Sequence, residues 1–505
     1  MTTVTAPALP AAPSASRLPR PAAWRLFRLE LRRNAMLWLL PLAVVLFWYN
    51  GYRQVMAMPA MWNLRAMSLQ NHMLLDFELP VVGAAAWMGY REARRHMADM
   101  LTGTARPRSS RQLATWAATT CWAMLGYLAC AGVVYLITAR QATGGGPLWW
   151  PVVVGAVGIL ALTSVGFAVG ALLPGRFTTP LIAIVVFFAI GFSQEGAKDS
   201  HSVLVLSPVI AGAPDIGADS GVATFYHYLP DLSIAQVMFL AGLTIAVLGV
   251  VGLLPGSGGH LLRGFAAAIT AAGLAAAGTA VALAGTARLD QHGMLVIPAL
   301  HDAASDQPVR YTPVCSGGAI PVCLNPAYAA YLPVVSAALE PVLSQVTGLP
   351  GAPAEISQEA EVFAERGNGI SVRTVATKHP DVAVFRMILP DGQGMTSAAF
   401  VAQLQQNAGL NIATNAIGDM GRADPNPSQA QLAVIAAVAG PWAFGADLPE
   451  NQQGRGQSLA IVPPGSPAAV AAQRFAALPA AERHAWLVRD LAALRAGHIT
   501  LAQLP

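Results

Sequence analysis

The chain contains seven stretches in which apolar residues predominate over about the length of a membrane crossing. An α-helix rises about 1.5 Å per residue and the hydrocarbon core of a bilayer is about 30 Å thick, so a crossing needs about 20 mostly apolar residues. The predicted spans are approximately residues 35–52, 73–90, 113–137, 150–173, 177–194, 232–254 and 265–287. This pattern predicts about seven transmembrane helices.

Another apolar stretch, VLVLSPVIAGA at residues 203–213, does not fit that pattern. It is too short to cross a bilayer as a helix, and Pro208 lies in its middle. Non-helical backbone at membrane depth is tolerated only where protein or water satisfies its hydrogen bonds. The sequence therefore predicts a re-entrant or interfacial piece here.

From about residue 291 the long apolar runs give way to Pro, Gly, Asn, Gln and dispersed charges. Periodicity predicts helices at 326–347, 397–408, 427–439 and 479–496, and strands at 369–376 and 382–389. The predicted fold class is a mainly α membrane protein, with about seven transmembrane helices followed by a soluble α+β domain at residues 291–505.

The start of the chain has two parts. Residues 1–21 are mostly Ala, Pro, Ser and Thr, which cannot bury a core, and the composition predicts disorder. Residues 22–34 contain AWRLFRLELRR, which as a helix places Trp24, Phe27 and Leu31 on one stripe and arginines on another. This pattern predicts a helix lying in the membrane interface, and the alternative is a plain extension of the first span.

Composition supports the membrane assignment, since 54% of the residues are hydrophobic and 11% are charged. The formal net charge is only +4, and the arginines cluster beside apolar runs, which argues against nucleic-acid binding. Arginines before the first apolar run also allow a signal peptide, but no small-residue cleavage site follows that run. An uncleaved first span is the preferred interpretation.

The basic residues predict the orientation, because Lys and Arg accumulate in cytoplasmic loops. One set of alternate loops contains Arg25, Arg28, Arg32, Arg33, Arg91, Arg94, Arg95, Arg106, Arg108, Arg111, Arg176 and Arg263. The other set carries only scattered basic residues. The sequence predicts a multi-pass protein of the cell membrane with a cytoplasmic N-terminus and an extracytoplasmic domain after about residue 288.

Two of the four cysteines give an independent check on this orientation. Cys315 and Cys323 bracket a short Gly/Pro segment in the domain placed outside, where a disulfide is the natural interpretation. The alternatives are two reduced thiols or a metal pair, although no histidine lies beside them at ligand spacing. Cys121 and Cys130 lie in the third span and are expected to be small packing residues. No metal site is predicted.

The connection between the second and third spans, residues 91–112, is rich in arginine yet also has an apolar face. As a helix it places Ala93, Met97, Met100 and Leu101 on one side. If the arginines only set the topology, the apolar stripe has no explanation. A cytoplasmic helix with its own apolar ridge indicates a protein partner or the membrane surface.

The segments EARRHMADML (92–101) and RPRSSR (106–111), set after an interfacial helix and two spans, resemble type-2 ATP-binding-cassette exporter permeases. In that family the segment is the coupling helix that docks on the ATPase subunit. The resemblance covers residues 22–255 and implies ATPase contacts at Glu92, Arg95, Met97, Met100 and Leu101. Residues 107–111 match the turn into the third span.

The resemblance divides the chain into a six-span permease core, residues 35–255, and two additions. These are a seventh span with its connection, residues 256–290, and the extracytoplasmic domain, residues 291–505. Both depart from the family layout, although a similar tail is familiar from permease-like proteins of actinobacteria.

The resemblance also implies partners. The chain has no G-x-x-x-x-G-K-[ST] phosphate loop, since the glycine-rich stretch at residues 254–264 lacks the lysine. ATP and Mg are therefore expected on a separate ATPase subunit, with no cofactor or catalytic residue in this chain. A second permease chain, identical or related, and membrane lipid are the other expected partners.

Two other classes of function stay open. One is a membrane-anchored ectoenzyme, against which the outer domain has neither H-E-x-x-H nor G-x-S-x-G. The other is a sensor or assembly factor that transports nothing. Copurification of a nucleotide-binding subunit would separate the permease from both.

Asp76 and Glu78 are the most notable acidic residues near the membrane. An acidic side chain at the centre of a bilayer costs about 2.5 to 3.5 kcal/mol and marks function. Both residues lie within the first turns of the second span, so they either occupy the interface or face the translocation route near its outer mouth.

Overall fold

The computed structural model of the protein describes residues 20–94, 108–197, 201–212, 222–254, 260–290, 294–359, 362–366, 369–373, 382–385, 398–418, 428–444 and 461–505. The described chain is mainly helical with a few small sheets. The predicted disordered tail falls almost wholly outside the described residues, as do the site residues Arg95, Met97, Met100 and Leu101.

The first part of the chain is an array of helices. They are α1 (Arg20–Arg32), α2 (Met36–Tyr49), α3 (Gly51–Ala57), α4 (Trp62–Gly89), α5 (Arg91–Arg94), α6 (Arg108–Gln141), α7 (Trp150–Leu172), α8 (Thr178–Gly196), α9 (Val222–Phe225), α10 (Asp231–Gly252) and α11 (His260–Ala284). Each predicted span coincides with helical chain, the first of them with α2 and α3 together. Helices α1 and α2 meet at a bend of 55°.

The helices of the structure give fewer candidate crossings than the sequence pattern predicts. Within the described residues, five helices are long and apolar enough to cross a membrane: Arg108–Gln141, Trp150–Leu172, Asp231–Gly252, His260–Ala284 and Pro326–Val346. The count is six if the bent pair Trp24–Arg32 and Met36–Ala57 is one broken span. The chain has the helices of a membrane protein, but the predicted seven crossings are not confirmed.

Even when the bent pair is counted as one span, two of the predicted spans are not among the candidates, for physical reasons. The apolar part of α8, Thr178–Gln194, is shorter than a full crossing. Helix α4 is long enough at 28 residues, but it buries Arg65, Gln70 and Glu78 among its apolar side chains. Buried polar groups lower its hydropathy without exposing it to water, because neighbouring helices cover them.

The candidate Pro326–Val346 belongs to the core of the C-terminal domain. It comprises a 3₁₀-helix, Pro326–Tyr331, and α12 (Leu332–Val346). Val335, Leu339 and Val346 are fully buried in the cluster of apolar side chains that includes the other helices of that domain. Its apolar character reflects this packing, in agreement with its predicted place in the soluble part.

Helices of the membrane part approach one another closely at glycines. A Cβ on Gly166 of α7 would lie 2.7 Å from the carbonyl oxygen of Val82 in α4. A Cβ on Gly242 of α10 would lie 2.7 Å from the carbonyl oxygen of Gly273 in α11. Small residues of this kind let backbones touch, which is how helices associate where lipid removes the hydrophobic driving force.

The C-terminal part contains a four-stranded mixed sheet with strand order β3-β4-β5-β8, a hairpin of β6 with β7, and a further pair, β1 with β2. The strands are β1 (Arg288–Leu289), β2 (Leu295–Val296), β3 (Val314–Cys315), β4 (Val322–Leu324), β5 (Glu355–Gln358), β6 (Val362–Arg366), β7 (Gly369–Arg373) and β8 (Val382–Phe385). Strands β4, β5 and β8 are parallel, and β3 is antiparallel to β4.

The sheet shares one hydrophobic core with α12 and with five further helices. They are α13 (Ala398–Leu404), α14 (Leu410–Gly418), α15 (Gln429–Ala439), α16 (Pro467–Ala477) and α17 (Ala480–Arg495). The domain is therefore α+β in content. The predicted helices at 427–439 and 479–496 match α15 and α17, whereas α14 and α16 were not predicted.

Cys315 and Cys323 form a disulfide, as predicted. They face each other across the antiparallel pair of β3 and β4, with their Cα atoms 4.0 Å apart. A disulfide is typical of an oxidising compartment and hints that the domain is extracytoplasmic. Among the described cysteines, Cys121 and Cys130 are free.

Candidate functional site

Helix α1 is joined to Arg91, the first residue of the predicted coupling segment. Glu30 of α1 is buried, and its two carboxylate oxygens accept hydrogen bonds from the Arg91 guanidinium at 2.7 Å each. Arg91 also donates to the hydroxyl of Thr115 in α6 at 3.3 Å. A bidentate pair of this kind fixes direction as well as distance, so α1, α5 and α6 are held in one arrangement.

A second set of ion pairs joins Glu92, near the start of the segment, to two arginines near its end. The Nε atom of Arg108 lies 3.0 Å from one carboxylate oxygen of Glu92, and Nε of Arg111 lies 3.6 Å from the other. Glu92 was predicted to contact an ATPase, and in this structure it pairs with arginines of its own chain. The pairs bring together the two ends of residues 95–107, which lie outside the described residues.

Arg94, the last described residue before Arg108, lies against an aromatic ring. Its guanidinium carbon lies 3.7 Å from the ring centroid of Trp87, in the last turn before the end of α4. Such a cation–π contact holds the planar guanidinium flat against the ring. The cation–π contact and the ion pairs together define the clamp: Glu30 with Arg91, Glu92 with Arg108 and Arg111, and Arg94 with Trp87.

The far end of α1 is also fixed to α6. The side-chain amide of Asn34 donates to the Thr119 hydroxyl at 2.9 Å, and the Trp122 indole donates to the carbonyl of Leu31 at 2.9 Å. Asn34 Oδ1 accepts from the backbone of Met36, which begins α2. These bonds set the bend between α1 and α2.

The exposed side chains of Arg25, Arg28 and Arg32 in α1, and of Arg33 just after it, line a cleft of about 330 Å³.

Asp76, a predicted route residue, caps a helix. Its carboxylate oxygens accept hydrogen bonds from the Asn50 side chain at 2.9 Å and from the backbone nitrogen of Gly51 at 3.1 Å. These groups lie at the break between α2 and α3, where a helix start leaves unpaired N–H groups. A Cβ on Gly51 would lie 2.5 Å from the Asp76 carboxylate, so glycine is needed for this approach.

Glu78, the other predicted route residue, is fully buried. Neither of its carboxylate oxygens has a hydrogen-bond partner among the described residues. It lies one turn from Leu74 and one turn from Val82, which contact α7 at Gly158 and Gly166. Glu78 is therefore at the α4–α7 contact, and the structure does not bring it together with the partners of Asp76.

A second buried polar cluster holds the segment after α8. The side-chain nitrogen of Gln236 in α10, which has two N–H donors, lies 2.7 to 2.9 Å from the carbonyl oxygens of Val205, Ser207 and Ile210. Gln70 of α4 also donates to the Ile210 carbonyl at 2.8 Å. Residues 201–212 form only a 3₁₀-helix, Val203–Leu206, which is far too short to cross a membrane.

A pocket that sequence reasoning missed lies where α4 meets the C-terminal domain. It has a volume of about 600 Å³, and its lining includes Trp62, Tyr228, Arg310, Tyr311 and the loop 143–148. Burial raises the pKa of Tyr228 to about 12 and that of Tyr311 to about 12, so both hydroxyls stay protonated. In the sequence, the glycine run at residues 144–146 marks a turn, but it does not indicate which distant residues lie beside it in the pocket.

Together these features define a helical membrane protein with the clamp at one end of α4 and a disulfide-bonded α+β domain at the other. No family model matches the chain, and no curated protein or solved structure shows significant similarity to it.

Proposed function

We propose that the protein is the membrane-spanning permease subunit of an ATP-binding-cassette transporter, working as an exporter and driven by a separate ATPase subunit. ATP and Mg would bind that subunit. A second permease chain, identical or related, would complete the translocation route.

The clamp is the observation that carries this proposal. A contact that transmits force needs a loop whose ends cannot swing freely, and the clamp holds both ends of residues 95–107 against α1 and α6. A loop that served only to display positive charge would need no such support. Under this proposal Glu92 positions the loop, and the apolar residues Met97, Met100 and Leu101 contact the ATPase.

The order of elements is the second support. Helix α1 precedes α2, α3 and α4, the segment of residues 91–112 and further apolar helices, with the short segment 201–212 between α8 and α10. This is the layout that the resemblance to type-2 exporter permeases predicts. Asp76 is hydrogen-bonded at the break between α2 and α3, whereas the carboxyl group of Glu78 has no partner among the described residues. We therefore assign Glu78, and not Asp76, to the translocation route.

The test replaces Met97, Met100 and Leu101 with serine. A few buried apolar anchors usually carry most of an interface's energy, so their loss should weaken ATPase binding by about a thousandfold. The measurement is recovery of the nucleotide-binding subunit with the tagged protein from native membranes, together with ATP turnover. We expect the triple-serine variant to lose both.

The control is Arg106→Lys, which keeps the charge of the loop, and it should retain the ATPase. Formation of the Cys315–Cys323 disulfide reports in each variant whether the C-terminal domain has folded and reached its compartment. Equal ATPase recovery from the triple-serine variant and the control would contradict the proposal.

The alternative is a membrane-anchored ectodomain protein that acts as a sensor, assembly factor or ectoenzyme. The pocket between α4 and the C-terminal domain is the observation that favours it, because aromatic and polar groups converge there. Under this alternative no nucleotide-binding subunit copurifies with the wild-type protein.

A further inference from the structure

The pocket between α4 and the C-terminal domain is assembled from both parts of the protein. Its lining comes from the start of α4, the loop between α6 and α7, the segment before α10, the segment before β3 and the segment after β4. Its volume of about 600 Å³ lies within the range of pockets that bind small molecules. The chemistry of the lining then indicates which kind of molecule fits.

The pocket has a positive charge that is not neutralised within the protein. Arg310 lines the pocket and is exposed, and it forms no ion pair with another described residue. No aspartate or glutamate is among the described residues that line the pocket. A guanidinium presents its N–H donors in a planar fork that matches the oxygens of a carboxylate or a phosphate. The charge of the lining therefore favours an anion.

The start of α4 favours the same sign of charge. Helix α4 begins at Trp62, and no side chain caps it; Met61, Trp62 and Asn63 all line the pocket. The first N–H groups of a helix have no partner inside the helix, and the helix dipole adds partial positive charge there. Such helix starts stabilise anions. The first turn of α4 and Arg310 thus act together in one cavity.

The aromatic part of the lining suits an apolar body. Trp62, Tyr228 and Tyr311 line the same pocket. Burial, and then the negative charges of Glu359 and Glu355, raise the pKa of Tyr311 to about 12, so its hydroxyl stays a hydrogen-bond donor. Neither glutamate lines the pocket. An aromatic body would pack against these rings while its charged group met the cationic part of the lining.

We infer that this pocket binds a small organic anion, which carries one carboxylate or phosphate on an aromatic body. The anionic group pairs with the Arg310 guanidinium beside the first turn of α4, and the body lies among Trp62, Tyr228 and Tyr311. An inorganic anion would leave these rings without a partner, and a cation would meet no carboxylate in the lining. The inference requires neither an ATPase nor transport, so its test is separate from that of the proposed function.

The test titrates the full-length protein, in nanodiscs of phosphatidylcholine, with benzoate, phenyl phosphate and benzyl alcohol, and follows binding by saturation-transfer NMR. The probes share an aromatic ring, and only benzyl alcohol is uncharged. We expect at least one anion to bind about tenfold more tightly than benzyl alcohol, a difference of about 1.4 kcal/mol. The anion that binds more tightly identifies the anionic group.

Two variants separate the charge from the cavity. Arg310→Gln should weaken binding of the tighter anion by about tenfold and leave benzyl alcohol unchanged, because only the charge is lost. Arg288→Gln, at an exposed arginine outside the lining, is its control and should change neither.

Gly146→Phe places a ring in the pocket, since a Cβ on Gly146 would meet no atom within 4 Å. It should weaken all three probes by about tenfold or more. Its control is Gly317→Phe, at a glycine between the two disulfide cysteines where a Cβ would also meet no atom within 4 Å. The Cys315–Cys323 disulfide reports folding of each variant.

Equal binding of the anions and benzyl alcohol by the wild type would overturn the inference. An anion preference that survives Arg310→Gln would overturn it as well, because the charge would then come from elsewhere. Binding that Gly146→Phe leaves unchanged would show that the probes occupy another site, and the assignment of this pocket would be wrong.

Discussion

At the scale of single residues, Asp76 and Glu78 are two positions apart on α4 and have opposite surroundings. Asp76 accepts two hydrogen bonds at the break between α2 and α3. Glu78 has none among the described residues. Successive residues on a helix point about 100° apart, so residues two positions apart face different neighbours. The structure therefore separates a capping residue from an unpaired buried carboxyl group.

This difference predicts opposite effects on stability. Asp76→Ala removes a helix cap and should lower the free energy of unfolding by about 1 kcal/mol. Glu78→Met removes a buried polar group without a partner and should raise it by about 1 to 3 kcal/mol. Thermal denaturation of the purified protein measures both. A loss of stability in Glu78→Met would mean that the carboxyl group has a partner and would remove our reason for assigning it to the route.

The contacts of single residues could be predicted from the sequence only where the two partners lie close together along the chain. The Cys315–Cys323 disulfide was predictable because a short loop joins the two residues, and the structure confirms it. The pairing of Glu92 with Arg108 was not, because it depends on how the chain between them returns to α6. The donors to Asp76 come from another helix, and nothing in its own segment indicates them.

At the scale of elements, the clamp predicts a coupling between α1 and the loop. Arg91→Glu should lower ATPase recovery, because it places two carboxylates together beside Glu30. Glu30→Arg in the same chain should restore recovery, with a coupling energy on the order of 1 kcal/mol for a partly exposed pair. ATPase copurification and turnover measure the cycle. Failure of the double exchange to restore either would show that the ion pair does not support the loop.

Segment 201–212 predicts a different response. Gln236→Leu removes an amide group whose two N–H donors are shared among the carbonyls of Val205, Ser207 and Ile210, and each full hydrogen bond contributes about 1 kcal/mol. The segment should therefore open more often, and its backbone amides should exchange hydrogen at least about tenfold faster. Thr244→Val, which removes a buried hydroxyl from the same helix, is the control. Unchanged exchange in Gln236→Leu would mean that other contacts hold the segment.

Helices were predicted well where the apolar residues keep a helical periodicity over several turns. The helix predicted at residues 479–496 is α17, Ala480–Arg495, because its apolar residues recur on one face. Hydropathy was a poorer guide to α4, whose polar residues are satisfied or covered by other helices. It also marked Pro326–Val346 as a candidate span, since a helix buried inside a soluble domain can be as apolar as one facing lipid.

At the scale of the whole molecule, the clamp and the C-terminal domain lie at opposite ends of α4. The clamp includes Trp87 near the C-terminal end of that helix, and Trp62 at its start lines the pocket shared with Tyr311. A helix of 28 residues is about 42 Å long, more than the thickness of a bilayer's hydrocarbon core. The arginine-rich end and the disulfide-bonded end are thus separated by enough helix to face different compartments.

This separation predicts an orientation that labelling can decide. Basic residues favour the cytoplasm, and a disulfide favours an oxidising compartment, so two independent arguments assign the ends in the same sense. In a chain with Cys121 and Cys130 changed to serine, Thr143→Cys and Arg489→Cys should react with a membrane-impermeant maleimide in intact cells. Arg28→Cys on α1 should react only after permeabilisation.

The three positions are chosen because their side chains are exposed, so accessibility depends on the compartment and not on burial. Labelling of Arg28→Cys and Thr143→Cys from the same side would mean that the helices between them cross an even number of times. That result would reduce the predicted number of spans and remove the basis for a cytoplasmic coupling loop. Labelling of Arg28→Cys alone in intact cells would show that the predicted orientation is reversed. The arginines would then lie outside, against the charge rule, and the disulfide would lie in a reducing compartment.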